Sequence, residues 1–401
     1  MNSGRRRVLI IVENLPVPFD RRVWQQARTL SSAGYEVSII CPATKRYPLR
    51  YEALEGIAIY RHPFPVEAEG PTGYLIEYAN ALFWQLVLAC RIFVSRGFDV
   101  IQGCNPPDTI FLIGAIFKVL GKRYIFDQHD LAPEIFQAKF SKAGPLHRVL
   151  LLLERLSFNM ADVAIVTNES FRRLAMERSQ KAPNRVFIVR NGPDLDRVKL
   201  VPANPDLRRG RRFLIGYVGV IGKQEGIDLL LRVVYRIVHD KQRMDIQFAV
   251  IGGGTDLEQA KAYAAKLGIG EYVTFTGYIF EPKHLCEYLS TADVCVNPDI
   301  ANAMNDRSTS VKIMEYMALS KPIVQFDLTE GRYTAGDAAL YARHNDVNDF
   351  AEKVLYLLEH PNEREQMGAL GRRRVEQELE WSHQAPRLLA AYELAYAQPM
   401  R

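Results

Sequence analysis

Short runs of β-branched and aliphatic residues alternate with amphipathic stretches from one end of this chain to the other, the pattern that a parallel sheet flanked by helices requires. Residues 7–13, 36–41, 99–103, 123–127, 163–167 and 186–189 read as strands, with helices such as 21–33 and 146–158 between them. The segment 201–212, VPANPDLRRGRR, is rich in proline and charge and reads as a linker. Beyond it the same grammar restarts. Residues 213–220 read as a strand, 226–239 as a helix, 246–251 as a strand running into Gly252-Gly253-Gly254, 257–267 as a helix, and 272–275 and 294–297 as strands. The final helix follows Trp381 and carries Leu388, Leu389, Tyr392 and Leu394. A length of 401 residues suits two cores rather than one.

Several classes of protein are set aside by composition. With 48% hydrophobic and 24% charged residues the chain is globular rather than disordered. Its five cysteines (Cys41, Cys90, Cys104, Cys286 and Cys295) are far apart with no C-x-x-C spacing, which argues against a zinc site or a disulfide framework and for a reducing cytosol. Arg5 to Arg7 are followed at once by the strand-like VLIIV, too short for the apolar core of a signal peptide. The longest apolar run, 78–90, is too short to span a bilayer and reads as a buried helix. The net charge of +5 comes with clustered basic residues but no basic stripe interleaved with stacking aromatics, so no nucleic-acid partner is expected.

The most informative block is 306–324, DRSTSVKIMEYMALSKPIV, which reads as a polar loop, an amphipathic helix, then Lys321-Pro322 and a strand. A helix start preceded by Ser308, Thr309 and Ser310 offers unpaired amides and a positive dipole end to a phosphate or diphosphate. Glu315 lies one turn beyond Lys312 on the same face, where a carboxylate can accept from a ribose diol. The same residues also describe a surface helix with a good N-cap and an ion pair, and local physics alone leaves both readings open.

This block resembles the donor-binding loop and helix of glycosyltransferase family 4. The opening VLIIVENLPVPFDRRVWQQARTLSSAGYEVSIICP is similar to the same family, as are FDQHDLAPEIF, VFIVRNGPDLDRV, YVGVIGKQEGIDLLL and VTFTGYI followed by TADVCVNPD, all in the expected order. The resemblance implies the GT-B architecture, two facing Rossmann-like α/β/α domains with a C-terminal helix crossing back to the first. Residues 1–200 would bind the acceptor, 201–380 the nucleotide sugar, and 381–401 would form the crossover helix. It also implies sugar transfer from a UDP- or GDP-linked donor with retention of stereochemistry. No protein nucleophile is expected, so a pair of carboxylates of the glycosidase kind is not sought.

The family's residues carry over with two departures. Basic residues after the first strand of the second domain usually hold the diphosphate. Val220 stands where arginine is common and Glu225 where lysine is common, so beside Gly222 the cation left is Lys223, with Lys312 as a second. The later of the family's paired glutamates matches Glu315, which would bind the ribose. The earlier falls on Arg307, with Asp306 just before it: either Asp306 reaches the donor sugar through a shifted loop, or a different sugar needs no acid there. Gly253 would let backbone approach the donor, and the stretch around Thr276-Gly277-Tyr278 would meet the base. In the first domain, His129 and Asp130 follow a strand and are the catalytic candidates, although a lone histidine can equally be structural. Asp20, Arg21 and Arg22 sit where relatives carry a glycine pair near the phosphates. Asn191-Gly192 reads as a turn. Asp194-Leu-Asp196 is formally a metal-binding D-x-D, but it lies in an N-G-x-D turn ahead of the linker, so no catalytic metal or other cofactor is expected. Gly252-Gly253-Gly254 is not a dinucleotide fingerprint.

The acceptor expected from the resemblance is a saccharide, above all a lipid-linked one, in bacterial surface polysaccharide or glycoconjugate synthesis. Residues 110–123, where apolar side chains adjoin Lys118, Lys122 and Arg123, suit an anionic membrane surface. The protein would then be cytoplasmic and peripheral to the inner face of the membrane. Two other readings compete: a different GT-B enzyme such as a nucleotide-sugar epimerase or hydrolase, and a degenerate fold acting as a binding or scaffold subunit. Epimerases need further acids and histidines, and donor hydrolysis by the purified protein separates enzyme from scaffold.

Overall fold

The structure, a computed structural model, describes residues 6–63, 70–140 and 144–397. It divides the chain into two units, Met1–Arg190 with Gln384–Arg401, and Asn191–His383.

Unit 1 holds β1 (Arg7–Val12), β2 (Glu36–Pro42), β3 (Tyr51–Leu54), β4 (Ile57–His62), β5 (Val100–Cys104), β6 (Arg123–Gln128), β7 (Val163–Val166) and β8 (Val186–Ile188). Its helices are α1 (Arg21–Ser32), α2 (Gly70–Ser95), α3 (Phe111–Val119), α4 (Ala132–Phe140), α5 (Pro145–Met160) and α6 (Glu169–Ser179). The strands form one sheet in the order β3-β4-β2-β1-β5-β6-β7-β8, parallel except for the β3–β4 pair. Helices cover both sides of such a sheet, which is why β5 and β7 are buried along their whole length and why β7 and β1 after Arg7 are apolar runs rather than alternating ones. The chain leaves β1 toward β2 and returns to its other side at β5, and this reversal places the carboxyl ends of β1 and β5 where α/β folds bind ligands.

The β3–β4 hairpin is absent from the sequence reading. Its turn is Glu55-Gly56 with φ of 49° and 80°, the doubly positive geometry of a tight hairpin. The strand before it, YEAL, is short and half-exposed and has no strong strand signature. The apolar run 78–90 also needs correction. It belongs to the 26-residue α2, whose segment Ile76–Ser95 is long and apolar enough to cross a membrane, yet it is no buried helix. Ala81, Gln85, Ala89 and Ile92 are buried, while Phe83, Val87 and Val94 are exposed.

Unit 2 holds β9 (Phe213–Val218), β10 (Ile246–Ile251), β11 (Val273–Gly277), β12 (Val294–Asn297), β13 (Ile323–Phe326) and β14 (Ala339–Ala342), all parallel in the order β11-β10-β9-β12-β13-β14. Helices α7 (Ile227–Tyr235), α8 (Leu257–Lys266), α9 (Pro282–Thr291), α10 (Val311–Ala318), α11 (Thr329–Ala335), α12 (Val347–Glu359) and α13 (Pro361–Arg374) complete it. The last helix, α14 (Trp381–Ala397), begins in unit 2, and from Gln384 onward it belongs to unit 1. There the Tyr392 hydroxyl donates to the Gln102 side-chain oxygen at 2.6 Å.

The proline-rich segment 201–212 is not a free linker. Val201 and Asn204 amides donate to Ser290 and Thr291 hydroxyls, and Arg208 pairs with Asp293 at 2.6 Å, so the segment packs on α9 and the start of β12. The units divide instead at Arg190–Asn191. Gly192 is required there for close packing rather than for a turn, since a Cβ would lie 2.2 Å from the Leu379 carbonyl oxygen.

Glycine also decides how the carboxyl edge of the second sheet closes. Gly252 has φ +138°, donates to the Gly277 carbonyl, and lies so close to the chain after β9 that a Cβ would stand 1.9 Å from the Gly219 carbonyl oxygen. Gly252→Ala is therefore expected to destabilise unit 2 by at least about 2 kcal/mol in denaturant titrations, with no charge removed. An unchanged midpoint would show that the two loops separate easily.

Candidate active site

In unit 1 the carboxyl end of the sheet gathers around one buried carboxylate, Asp127, near the end of β6. Arg22 from α1 grips both its oxygens, at 2.6 and 3.2 Å, and sends a further N–H to the Val189 carbonyl at 2.7 Å. Gln26 from the same helix donates to Asp127 at 2.8 Å, and Gln102 on β5 donates to both Asp127 and Gln26. His129 completes the set, its Nε2 lying 2.9 Å from Asp127 Oδ2. Burial alone would raise the Asp127 pKa, but Arg22 and His129 outweigh it and hold the carboxyl below its ordinary range. Burial likewise opposes charge on His129, yet Asp127 outweighs it and raises the imidazole above its ordinary value, which favours the imidazolium.

This revises three expectations. Arg22 is buried and ion-paired inside the unit, so it is no phosphate ligand. Asp20 is the N-cap of α1, its carboxylate accepting from the Val23 amide at 3.0 Å, while Arg21 is exposed at the helix start. His129 keeps a place at a strand's carboxyl end, but one ring nitrogen is engaged by Asp127. Cys104, Asp127 and His129 each bring one ligand-type atom within 4.8 Å of the others. The set does not suit a cation: Arg22 already neutralises Asp127, and burial raises the Cys104 thiol pKa away from thiolate.

Behind His129 lies a residue that sequence reasoning passed over. Asn105, after β5, accepts from the His129 and Asp130 amides at 2.6 and 3.3 Å and donates to the Asp130 carbonyl and to Asp108. It thereby fixes the backbone of both candidate residues. Asp108 is buried, and burial, with Glu154 second, pushes its pKa up to about 8, so it is neutral at physiological pH. The run Asn105-Pro-Pro-Asp108 is a turn signal that could have drawn attention to this loop. Glu13, just beyond β1, is a second omission. It is buried, accepts from Gln85 at 2.5 Å and pairs with His62 at 2.9 Å.

In unit 2 the loops after β9 and β12 meet the start of α10. The Asn305 side chain donates to the Gln224 and Ile300 carbonyls, and Asn302 donates to the Gln224 side chain, tying the two loops together. Gly226 is forced by the same closeness, with φ +64° and the Pro298 carbonyl oxygen 2.0 Å from where a Cβ would stand. Ser310 is the N-cap of α10, yet its hydroxyl donates to Asp299 at 3.0 Å and makes no capping bond to the helix. The first amides of α10 therefore lack the usual side-chain acceptor. Lys312 turns to Asp299 at 2.7 Å and Asn297 at 3.1 Å, over the Tyr217 ring, so its charge is already matched. Lys223 is exposed beside Gly222, and no side-chain partner is found for it among the described residues. Glu225 folds back toward Gly222, and burial, only partly offset by Lys312, raises its pKa.

Asp306 does not reach out of its loop. Its carboxylate accepts from the Thr329 amide at 2.8 Å and hydroxyl at 3.1 Å, holding the start of α11. The Ser308 hydroxyl donates back to the Met304 carbonyl, and Thr309 is half-buried beside it. Glu315 is buried within α10, on which Tyr316 ties β9 to β12 by accepting from the Val218 amide and donating to the Val296 carbonyl. Gly253 lies under the Tyr278 ring, 2.5 Å from where its Cβ would be, and Tyr278 stacks with Phe280 at 6.0 Å, both half-exposed. Asp194 accepts from the Asp196 amide at 2.9 Å, so the D-x-D is a local turn.

Both units are thus parallel sheets whose reversals place loops, glycines and ionic groups at their carboxyl edges, the organisation of a nucleotide-handling α/β enzyme. The family description "Glycosyl transferase 4-like domain" matches residues 20–192, and "Glycosyl transferases group 1" matches residues 212–360. An alpha-maltose-1-phosphate synthase of Mycolicibacterium smegmatis is 26% identical over 70% of this chain and 76% of its own length. A GDP-mannose-dependent alpha-(1-6)-phosphatidylinositol monomannoside mannosyltransferase of Mycobacterium tuberculosis is 26% identical over 83% of this chain and 96% of its own. Among solved structures, a sucrose-phosphate synthase from Thermosynechococcus elongatus superposes with a TM-score of 0.80 at 18% identity, covering 98% of this chain and all of that one. The chain belongs to the family 4, group 1 glycosyltransferases of the GT-B fold and is a glycosyltransferase.

Asp127→Asn is expected to cost about 3–5 kcal/mol in chemical denaturation, because it leaves the Arg22 charge buried without its partner. The pair also sets a pH signature. The depressed Asp127 contributes stability above its unfolded value of about 3.9 and loses it as pH falls through the folded one. His129, raised, contributes fully below about 6.5 and loses it as pH rises through its folded value. His129→Gln should flatten the alkaline side of a plot of melting temperature against pH and weaken, without abolishing, the acid side, where Arg22 still holds Asp127 down.

Proposed function

We propose that this enzyme transfers a sugar, with retention, from a UDP- or GDP-linked donor to a saccharide acceptor carried on a lipid, and that it does so without a metal ion or other cofactor. The observation that carries the donor half is the start of α10, where the Ser310 hydroxyl is turned to Asp299 and makes no capping bond to the first turn of the helix. A diphosphate suits that position, with Lys223 as the exposed cation of the neighbouring loop. Lys312 supports the site indirectly by holding Asp299, and Glu315 accepts from the ribose. Gly253 and the Tyr278 ring border the base. Metal independence follows from the same reading: amides and Lys223 meet the charge, and the Asp194 carboxylate of the D-x-D is engaged in a local turn.

The acceptor half falls to unit 1, with His129 and Asp130, fixed by Asn105, as the groups nearest the sugars. In the step itself the acceptor oxygen bonds to the anomeric carbon, the bond from that carbon to the diphosphate breaks, and the acceptor proton passes to the departing phosphate oxygen. Positioning and charge stabilisation are then the protein's contribution. The mannosyltransferase relative, whose name specifies GDP-mannose and a phosphatidylinositol mannoside, supports a nucleotide-sugar donor and a lipid-borne acceptor. A cytoplasmic enzyme resting on the inner face of a membrane fits that acceptor.

Glu315→Gln should weaken binding of the free nucleotide by about 1.5–3 kcal/mol in calorimetry, since the amide removes a charged acceptor. Equal affinity in mutant and wild type would assign Glu315 to the core alone. Donor turnover should persist in excess EDTA, and loss restored by magnesium or manganese would overturn the metal-independent reading.

A further inference from the structure

The basic-apolar segment 110–123 was expected to be the membrane face, but the structure moves the emphasis. Lys118 is held inside unit 1 by Asp162 at 2.7 Å and the Met160 carbonyl, Arg123 lies by the Tyr396 ring, and Lys122 lies over the Phe93 ring. The exposed apolar surface is wider than that segment. Of the twenty-five exposed large hydrophobic side chains among the described residues, eleven belong to α2, α3 and α5. Scattered apolar residues need no explanation, but a set concentrated on three neighbouring helices does.

These helices share one layer. Ala89 and Ile92 of α2, Ile113 and Phe117 of α3 and Phe158 of α5 enter the same core cluster, against the same side of β1, β5, β6 and β7. The Phe93 and Phe117 rings join α2 to α3 with centroids 5.4 Å apart. Their opposite sides therefore look outward together. Val94 is 87% exposed and Val119 88%, with Phe83, Ile116, Val149 and Leu152 also exposed. Among the described residues of the three helices the exposed charges are Arg91, Arg148 and Arg155. Their two carboxylates, Glu77 and Glu154, are not exposed, and Glu154 is buried against Arg178.

From this we infer that the outer faces of α2, α3 and α5 form one docking surface for an anionic lipid monolayer. The charge pattern selects that occupant, because apolar side chains among arginines and no exposed acid match lipid tails beneath anionic headgroups. Although α2 is long enough to span a bilayer, it lies in the membrane plane. Its inner stripe is packed on the sheet, and Gln85 donates from it to Glu13, so insertion across the bilayer would unfold the unit. The inference rests on the lipid-borne acceptor proposed above and specifies how the enzyme reaches it.

The test is flotation of the full-length protein with vesicles of phosphatidylcholine alone or mixed with phosphatidylglycerol. Wild type should float with the mixed vesicles and be released by high salt. Replacing Arg91, Arg148 and Arg155 with glutamine should weaken partition roughly fivefold per residue, on the order of a hundredfold together. Val94→Glu, Val119→Glu and Leu152→Glu combined should abolish it. Donor hydrolysis in the same samples should stay at the wild-type rate in both triple variants, which shows that they are folded. It also keeps the transfer reading separate, since loss of hydrolysis in wild type would sink that reading and leave vesicle binding untouched. The inference is overturned if wild type ignores anionic vesicles, if the glutamate variant floats like wild type, or if light scattering shows a dimer that the glutamates disperse without any vesicle binding.

Discussion

The ion pair between Asp127 and Arg22 is the constraint on which unit 1 depends. One buried carboxylate draws together α1 through Arg22 and Gln26, β5 through Gln102, and the candidate loop through His129. The same network holds the chain where it crosses between the units. Arg22 bonds the Val189 carbonyl just before the first crossing, and Gln102 accepts from Tyr392 on the returning helix. A buried charge of this kind is costly unless every lone pair is met, and here the donors meeting it come from separate elements. Satisfying Asp127 therefore fixes the carboxyl edge of the sheet, and with it the candidate loop that carries His129.

The proposed role of unit 2 poses a different problem, bringing a polyanion close to backbone. Its glycines let loops touch, Asp299 occupies both the Ser310 hydroxyl and Lys312, and the start of α10 is left without a capping bond from its N-cap side chain. The departures from the usual family residues, Val220 and Glu225, become less severe in this light. Charge stabilisation by helix-terminal amides depends on backbone geometry, and side-chain identity in the preceding loop matters less. Asp306 holds α11 to the loop.

The proposed lipid surface and the proposed chemistry belong to opposite parts of unit 1's design. The catalytic candidates sit at the carboxyl ends of strands, where the sheet's reversal exposes backbone and polar groups. The apolar faces belong to helices whose inner sides are fixed in the core, so they can meet a membrane without rearranging the site. Arginine rather than lysine among them suits contact with phosphate headgroups, since its planar fork binds them in pairs of hydrogen bonds.

Hydrophobic periodicity determined much by itself: the two sheets, most of their strands, and the glycine-bearing loops at their ends. Strands buried on both faces leave a mostly apolar signature, as in 246–251 and 294–297, where the strands fall at those bounds. Short, half-exposed elements such as β3 do not, because few of their side chains are fixed by burial. The family blocks pointed to Ser310, Lys312, Glu315 and His129, yet only the tertiary structure decided what each side chain does. Arg22 and Lys312 read as free cations until the folded chain supplies Asp127 and Asp299, and Asn105 has no signal beyond a turn until the His129 loop is placed above it. The reason is physical. Which face of an element is apolar is written locally, whereas the partner of a charge comes from a residue that only folding brings near.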